Sequence, residues 1–309
     1  MPTADQKSGA CKATFLLLVL TAERKNMNSF MSWVGGKKNL RDEVLARFPP
    51  YYERYIEVFG GAGWVLFHKP PGMDFEVWND YNGNLTNLYR CVRDKPNKLK
   101  YKLRYVLNSR EDFDRIALLH KRGIFEKLCD ADRASKFYQL IRYSYASGLD
   151  SFASQPHSIW SDFPMIDLAA RRLQKVIVEN KDFEKLIRQY DRPVSFFYCD
   201  PPYFATENYY KDVGFKTKDH IRLRDTLLDI KGKFLVSYND CPEIREIWDK
   251  PNIRIEEISR INNLAQRYDG GCQYAELLIS NYDTSERARS VRQLSLFDDE
   301  TDNFGGIIL

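Results

Sequence analysis

The sequence predicts an α/β fold: a Rossmann-like, doubly wound mixed sheet carrying an inserted, mainly helical subdomain. Three observations predict it. Short β-rich runs alternate with helical patterns along most of the 309 residues, the order expected of βαβ units. Several of those runs are apolar almost throughout, as strands buried on both faces should be. The alternation stops over residues 95–174, which read mainly helical, and then resumes.

RYIEVFG (54–60) and DFEVWND (74–80) read as the first two strands. The helix YNGNLTNLYRCVRD (81–94) follows them, and then the insert. KVIVEN (175–180) and SFFYCD (195–200) continue the sheet, and DHIRLRDTLLDI (219–230) reads as a helix with Asp219 placed as its N-cap. GKFLVSYND (232–240), IRIEEIS (253–259) and AELLISNY (275–282) complete the strands. The sheet domain is thus assembled from residues 29–94 and 175–283, with 95–174 between them. Residues 1–28 read as an upstream extension expected to be disordered, with Met27 or Met31 as alternative starts. Residues 284–309 are polar and charged, and read as a flexible tail.

With 43% hydrophobic and 14% aromatic residues, the chain can bury a proper core, which excludes global disorder. The net charge of +4 is too mild to argue for nucleic acid alone. Its distribution says more. Residues 95–175 hold 16 Lys and Arg against 9 Asp and Glu, a candidate phosphate-facing region. There KPNKLKYKLRY (95–105) interleaves Lys98, Lys100 and Lys102 with tyrosines, although a solvated helix face reads the same way. Cys11, Cys91, Cys129, Cys199, Cys241 and Cys272 are scattered without a C-x-x-C, which fits reduced thiols better than a disulfide framework or a zinc site. The four histidines are isolated, so no metal is expected. TFLLLVLTA (14–22) could pass for a short signal-peptide core but is far too short to span a bilayer. The expected address is the cytoplasm.

The chemistry points to FFYCDPPYF (196–204). Pro201 and Pro202 donate no backbone hydrogen bond, so the chain leaves the sheet at Asp200 and holds a carboxylate at a strand's C-terminal edge. Open α/β sheets bind ligands at that edge. After the first strand, FGGAG (Phe59, Gly60, Gly61 and on to Gly63) lets a ligand approach the backbone closely. About 20 residues on, Asp80 is placed to hold a ribose diol. A dinucleotide would use the same geometry, but Leu66 stands where the third glycine of G-x-G-x-x-G belongs. The pyrophosphate that glycine serves is then missing, which favours a nucleoside cofactor such as S-adenosylmethionine over NAD.

SWVGGKKNL, VFGGAGW, VWNDYNGNL, ENKDF and YCDPPYF occur in this order, and together the chain resembles the D12 class of adenine-N6 DNA methyltransferases, the Dam-like family. The likeness runs over residues 29–283 and is weakest in the middle. It implies a cytoplasmic enzyme, bacterial or phage-encoded, that methylates adenine in double-stranded DNA with S-adenosylmethionine. It also implies that Trp33, Gly36, Lys37 and Asp80 contact that cofactor, with Phe59, Gly60, Gly61 and Gly63 around its methionine and ribose ends. Asp182 and Phe183 would flank the adenines. Asp200, Pro201, Pro202 and Tyr203 would form the catalytic motif, the acid sitting where cofactor and target base meet, contacting the cofactor and accepting from the target amine, and the tyrosine stacking on the base. Trp33 and Phe183 could also be core aromatics, and Lys37 a solvated charge.

An RNA adenine methyltransferase and a DNA-binding module without catalysis remain as alternatives. In IRYSYASGLDSFASQPHSIW (141–160), Arg142 and Tyr143 are candidate contacts to bases or phosphates. In the tail, Gln293, Leu294, Ser295, Leu296 and Phe297 resemble the short motif by which bacterial replication and repair enzymes dock into the sliding clamp. A tail packed on the enzyme's own surface would leave the same trace.

Overall fold

Apolar runs become central strands because both their faces find cover. The computed structural model describes residues 27–33, 35–72, 74–204, 214–261, 273–287 and 289. Seven strands form one sheet: β1 (Arg54–Glu57), β2 (Phe75–Asn79), β3 (Val176–Glu179), β4 (Ser195–Cys199), β5 (Lys233–Asn239), β6 (Arg254–Ile261) and β7 (Gln273–Ser280). Their order is β3-β2-β1-β4-β5-β7-β6. The first five are parallel, and β7 runs antiparallel to both β5 and β6. All five residues of β4 are buried, as its unbroken apolar run predicts. The strand order reverses between β1 and β4, which opens a crevice at their C-terminal ends.

Ten α-helices surround the sheet: α1 (Arg41–Ala46), α2 (Trp64–His68), α3 (Gly83–Asp94), α4 (Pro96–Leu103), α5 (Arg110–Lys121), α6 (Asp130–Tyr143), α7 (Phe163–Leu173), α8 (Phe183–Tyr190), α9 (Thr217–Leu228) and α10 (Pro242–Trp248), among the described residues. The Asn82 side chain caps α3 by accepting from the N–H groups of Asn84 and Leu85. The expected cap of α9 is corrected. Asp219 sits in the first turn, not at the N-cap, and its Oδ2 accepts from the N–H of Lys216 at 2.9 Å. A carboxylate three positions inside a helix reaches back in this way, so the sequence signal was displaced by three residues.

Each face of the sheet has its own apolar cluster. Ile56, Val77, Phe197 and Val236 face Leu186, Leu223 and Ile244 of α8, α9 and α10. Tyr55, Trp78, Phe196 and Tyr198 face the other way and share one cluster with Leu99, Phe113, Phe137 and Ile166 of the insert. The helices of residues 95–174 therefore complete the core of the sheet as well as their own. A buried ion network ties them down. Arg172 of α7 forks onto Glu76 of β2 at 2.6 and 2.7 Å and donates to the Leu66 carbonyl at 3.0 Å. Lys69 bridges Asp74 at 2.6 Å and Glu76 at 3.1 Å. Each charge there has a partner, which is the condition for burying it.

No described helix is long and apolar enough to cross a membrane. The apolar run at 14–22 and the tail segment 293–297 lie outside the described residues.

Gly60 shows how tightly the sheet meets the crevice. A Cβ built there would stand 2.1 Å from the indole nitrogen of Trp78, whose ring stacks on Tyr89 at 3.7 Å between centroids. Gly60→Ala is expected to cost about 1–3 kcal/mol of stability by overpacking, measured by urea denaturation. A variant as stable as the parent would mean that Trp78 yields.

Candidate active site

The loop after β1 is pinned to the loop after β2. Gly60 donates to the Asn79 carbonyl at 2.7 Å, and Gly61 donates to Asp80 Oδ2 at 2.9 Å. Asp80 Oδ1 accepts from Asn82 at 2.8 Å. Gly61 has a φ of +48° and Gly63 one of +63°, the region where a side chain costs strain. Burial pushes the Asp80 carboxyl up to about 6, although both backbone hydrogen bonds pull the other way. Asn79, for which the sequence offered no functional signal, stitches three strand ends together. Its Nδ2 donates to Val58 O at 2.9 Å and Lys181 O at 3.1 Å, and its Oδ1 accepts from Lys181 N at 2.8 Å. Trp33 is half-buried beside Gly61, 5.8 Å between ring centroids from Phe137 of the insert. Gly36 backs onto the Trp64 indole.

Beside this loop lies a pocket walled by Phe59, Phe183 and Phe215, with centroid separations of 5.7, 5.9 and 6.0 Å. The expected Asp182–Phe183 pair is present in its wall. Asp182 caps α8 through Glu184 N at 3.1 Å. Both its oxygens also bind Arg222 of α9, at 3.0 and 2.9 Å. Burial raises the Asp182 carboxyl, but Arg222 outweighs it and the net direction is down. The Arg222 guanidinium lies 4.1 Å over the Phe183 ring. Residue 222 is 40 positions from residue 182, and nothing in the sequence linked them.

The acid motif stands across the crevice. Asp200 follows β4, its side chain 18% exposed. The next two residues, Pro201 and Pro202, are buried. The ammonium of Lys37, itself 4% exposed, lies 2.7 Å from Asp200 Oδ1. Ser237 Oγ donates to the same oxygen at 3.0 Å. Among the described residues no hydrogen bond reaches Oδ2. Burial raises the Asp200 carboxyl above its ordinary value, with Lys37 opposing. Lys37 also lies 4.3 Å over the Tyr203 ring and 4.0 Å from Glu276 Oε2. The Tyr203 hydroxyl donates to that Glu276 oxygen at 2.7 Å. Asn239 Oδ1 accepts from Phe204 N at 3.1 Å. Ser237, Asn239 and Glu276 were missed in the sequence. The signal available was a polar residue at alternate positions of FLVSYND and inside AELLISNY, where an apolar face was expected. Glu57, the last residue of β1, was also missed. It is 2% exposed and accepts from the Tyr55 hydroxyl at 2.7 Å. Burial pushes it up to about 8.

The candidate nucleic-acid contacts are not equally open. Lys98 is exposed. Lys100 pairs with Asp167 at 2.5 Å, and Lys102 with Asp132 at 2.9 Å. Arg142 forks onto Asp162, both contacts at 2.9 Å, with His157 at 3.1 Å. Tyr143 is only 4% exposed. In this structure Arg142 is thus engaged with Asp162 and His157, and the Tyr143 ring packs edge-on against His157; their contact to bases or phosphates stays a proposal. The hairpin that follows them closes through a Ser144–Phe152 bridge and holds Ala146, Ser147 and Leu149 at φ of 49°, 58° and 65°. Its Tyr145 is 59% exposed, and Ser147 Oγ meets Ser32 Oγ at 3.2 Å beside Trp33.

The sequence that builds this crevice has counterparts among known proteins. A family model described as D12 class N6 adenine-specific DNA methyltransferase matches residues 33–264. The chain belongs to that family. It is 27% identical over 286 residues to the type II methyltransferase M1.LlaDCHI of Lactococcus lactis subsp. cremoris, covering 85% of this chain and 99% of that protein. It is 27% identical over 261 residues to the DNA adenine methylase of Escherichia coli strain K12, covering 76% and 89%. For the DNA adenine methylase of Haemophilus influenzae the identity is 26% over 265 residues, covering 75% and 86%.

Glu57 generates a pH prediction. Its folded-state carboxyl titrates near 8 against an ordinary 4.5, so the folded protein favours the protonated form. That contribution is whole below about pH 4.5 and is lost as pH rises through 8. Relative to Glu57→Gln, the parent should lose stability over this window, by roughly 1.4 kcal/mol for every tenfold by which folding weakens the acid. Urea denaturation at pH 4.5, 6.5 and 8.5 checks it. Parallel stability curves for the two proteins would contradict it.

Proposed function

We propose that this protein transfers the methyl group of S-adenosylmethionine to N6 of an adenine flipped out of double-stranded DNA, at a short specific sequence. The observation that carries the reading is Asp200, with Oδ1 fixed by Lys37 and Ser237 and Oδ2 without a hydrogen-bond partner among the described residues.

The residues present fit such a cofactor. Phe59 and Phe183 offer walls for a flat ring, and each Asp80 oxygen keeps a lone pair for a ribose hydroxyl beyond its backbone hydrogen bond. Arg222 holds Asp182 and covers Phe183, so it closes the adenine end of the pocket. When bound, the cofactor supplies an electrophilic methyl on a sulfonium.

The protein's residues then do the rest. Adenine N6 is a poor nucleophile because its lone pair is delocalised into the ring. Asp200 Oδ2 accepts one N–H and the Pro201 carbonyl the other, which favours a pyramidal nitrogen and its developing positive charge. The Tyr203 ring offers a face for the flipped base. The rigid Pro201-Pro202 backbone fixes both acceptors before the base arrives. The exposed hairpin at 144–152 and Lys98 are the DNA-facing candidates. A sliding-clamp contact through residues 293–297 rests on the sequence alone.

Asp200→Ala should keep cofactor affinity within about threefold, while single-turnover methyl transfer to DNA falls by roughly 10³-fold. A near-parental rate would overturn the site assignment, and faster transfer to matched RNA than to DNA would favour the RNA reading. Expression in a methylation-free host, followed by methylome sequencing, should show N6-methyladenine in one short motif. Modified cytosine instead would overturn the base assignment.

A further inference from the structure

We infer that Glu276 is a positioning residue for methyl transfer, sharing Lys37 with Asp200 and fixing the Tyr203 ring beneath the target base. The inference rests on the roles given above to Asp200 and Tyr203 and adds one that neither motif order nor family resemblance supplied.

The geometry begins with β5 and β7. Glu276 of β7 stands opposite Asn239 of β5 in the antiparallel register, so the two side chains share one face. Ser237 lies two residues back on that face. These three hold the acid motif at three successive points. Ser237 binds the Asp200 carboxylate at 3.0 Å, Glu276 the Tyr203 hydroxyl at 2.7 Å, and Asn239 the Phe204 backbone at 3.1 Å. Pro201 and Pro202 have no N–H to donate, so the segment is anchored by side chains from the neighbouring strands instead.

Charge gives the second half of the argument. Among the described residues, Lys37 is the buried cation at 2.7 Å from Asp200 and 4.0 Å from Glu276. Paired with Asp200 alone, it would neutralise the acceptor that the reaction needs most when N6 turns cationic. With Glu276 as a second carboxylate in the same desolvated space, the trio keeps a net negative charge. Asp200 then remains a strong acceptor through its free oxygen. Glu276 is 2% exposed, so solvent screens little of this. It touches Tyr203 and approaches Lys37, and its role reaches the base through them.

The test uses the full-length enzyme, radiolabelled S-adenosylmethionine and plasmid DNA from a methylation-free host. Glu276→Gln keeps the size of the side chain and an acceptor for Tyr203 while removing the charge. Its single-turnover rate should fall roughly 10–100-fold, with cofactor affinity and DNA affinity within about threefold of the parent. The acid limb of its rate–pH profile should also move to lower pH, because a neighbouring negative charge no longer holds Asp200 up. Tyr203→Phe removes the hydrogen bond but keeps the charge. It should lose a smaller factor in rate and leave the acid limb where it was.

A parental rate in Glu276→Gln overturns the inference. So does a slowed enzyme whose acid limb is unmoved and whose cofactor affinity falls in step, the pattern of a structural role alone. If Glu276→Gln does not fold, Tyr203→Phe decides: a parental rate there overturns the inference, and a slowed rate with unchanged affinities supports it. Asp200→Ala run alongside separates the two levels. An active Asp200→Ala enzyme removes the site assignment itself, whereas an inactive one beside a fast Glu276→Gln removes only this inference.

Discussion

One buried ammonium organises the crevice. Lys37 touches Asp200 at 2.7 Å, lies 4.3 Å over the Tyr203 ring and stands 4.0 Å from Glu276. A cation with 4% exposure persists only where several partners offset its desolvation. The ammonium and its partners come from three places far apart in the chain: the segment before α1, the exit from β4, and β7. Satisfying that single charge therefore requires the chain to place all three at one end of the sheet. The functional geometry and the stability of that end are the same set of contacts.

The rest of the fold serves this arrangement. Parallel strands β1 and β4 deliver the glycine loop and the acid side by side, because adjacent strands of opposite winding leave a gap at their ends. Asn79 then locks the ends of β1, β2 and β3 together, so the aromatic pocket and the acid keep a fixed separation. The insert contributes through packing. Phe137 of α6 supports Trp33, four residues before Lys37, and α7 anchors into the sheet through Arg172 and Glu76. These helices share their core with the sheet, so the hairpin proposed to face DNA is joined rigidly to the crevice.

Much of this was legible in the sequence, for definite reasons. The strands were found within one to three residues because β4 and β5 bury almost every side chain, leaving unbroken apolar runs. Asp200 was found because two prolines after a strand force an exit. Contacts between distant residues were not legible. The Arg222–Asp182 fork, the Lys100–Asp167 pair and the Lys102–Asp132 pair join positions tens of residues apart, and no periodicity records them. Lys98, Lys100 and Lys102 looked alike on a helix face, yet two of them are engaged with carboxylates. Arg142 read as a candidate contact to bases or phosphates, and its fork on Asp162 left no trace in the sequence. Glu276 hid inside an apolar run as an exception to it.

The central claim is that Asp200 presents one oxygen to the base while Lys37 holds the other. The most direct measurement is a crystal structure of the enzyme with duplex DNA containing its methylation site and a non-transferring analogue of S-adenosylmethionine. The account predicts the flipped adenine N6 within about 2.6–3.2 Å of Asp200 Oδ2, with the Pro201 carbonyl as second acceptor and Lys37 still on Oδ1. An adenine whose N6 meets other acceptors, or a Lys37 that has left Asp200 for the DNA, would contradict it.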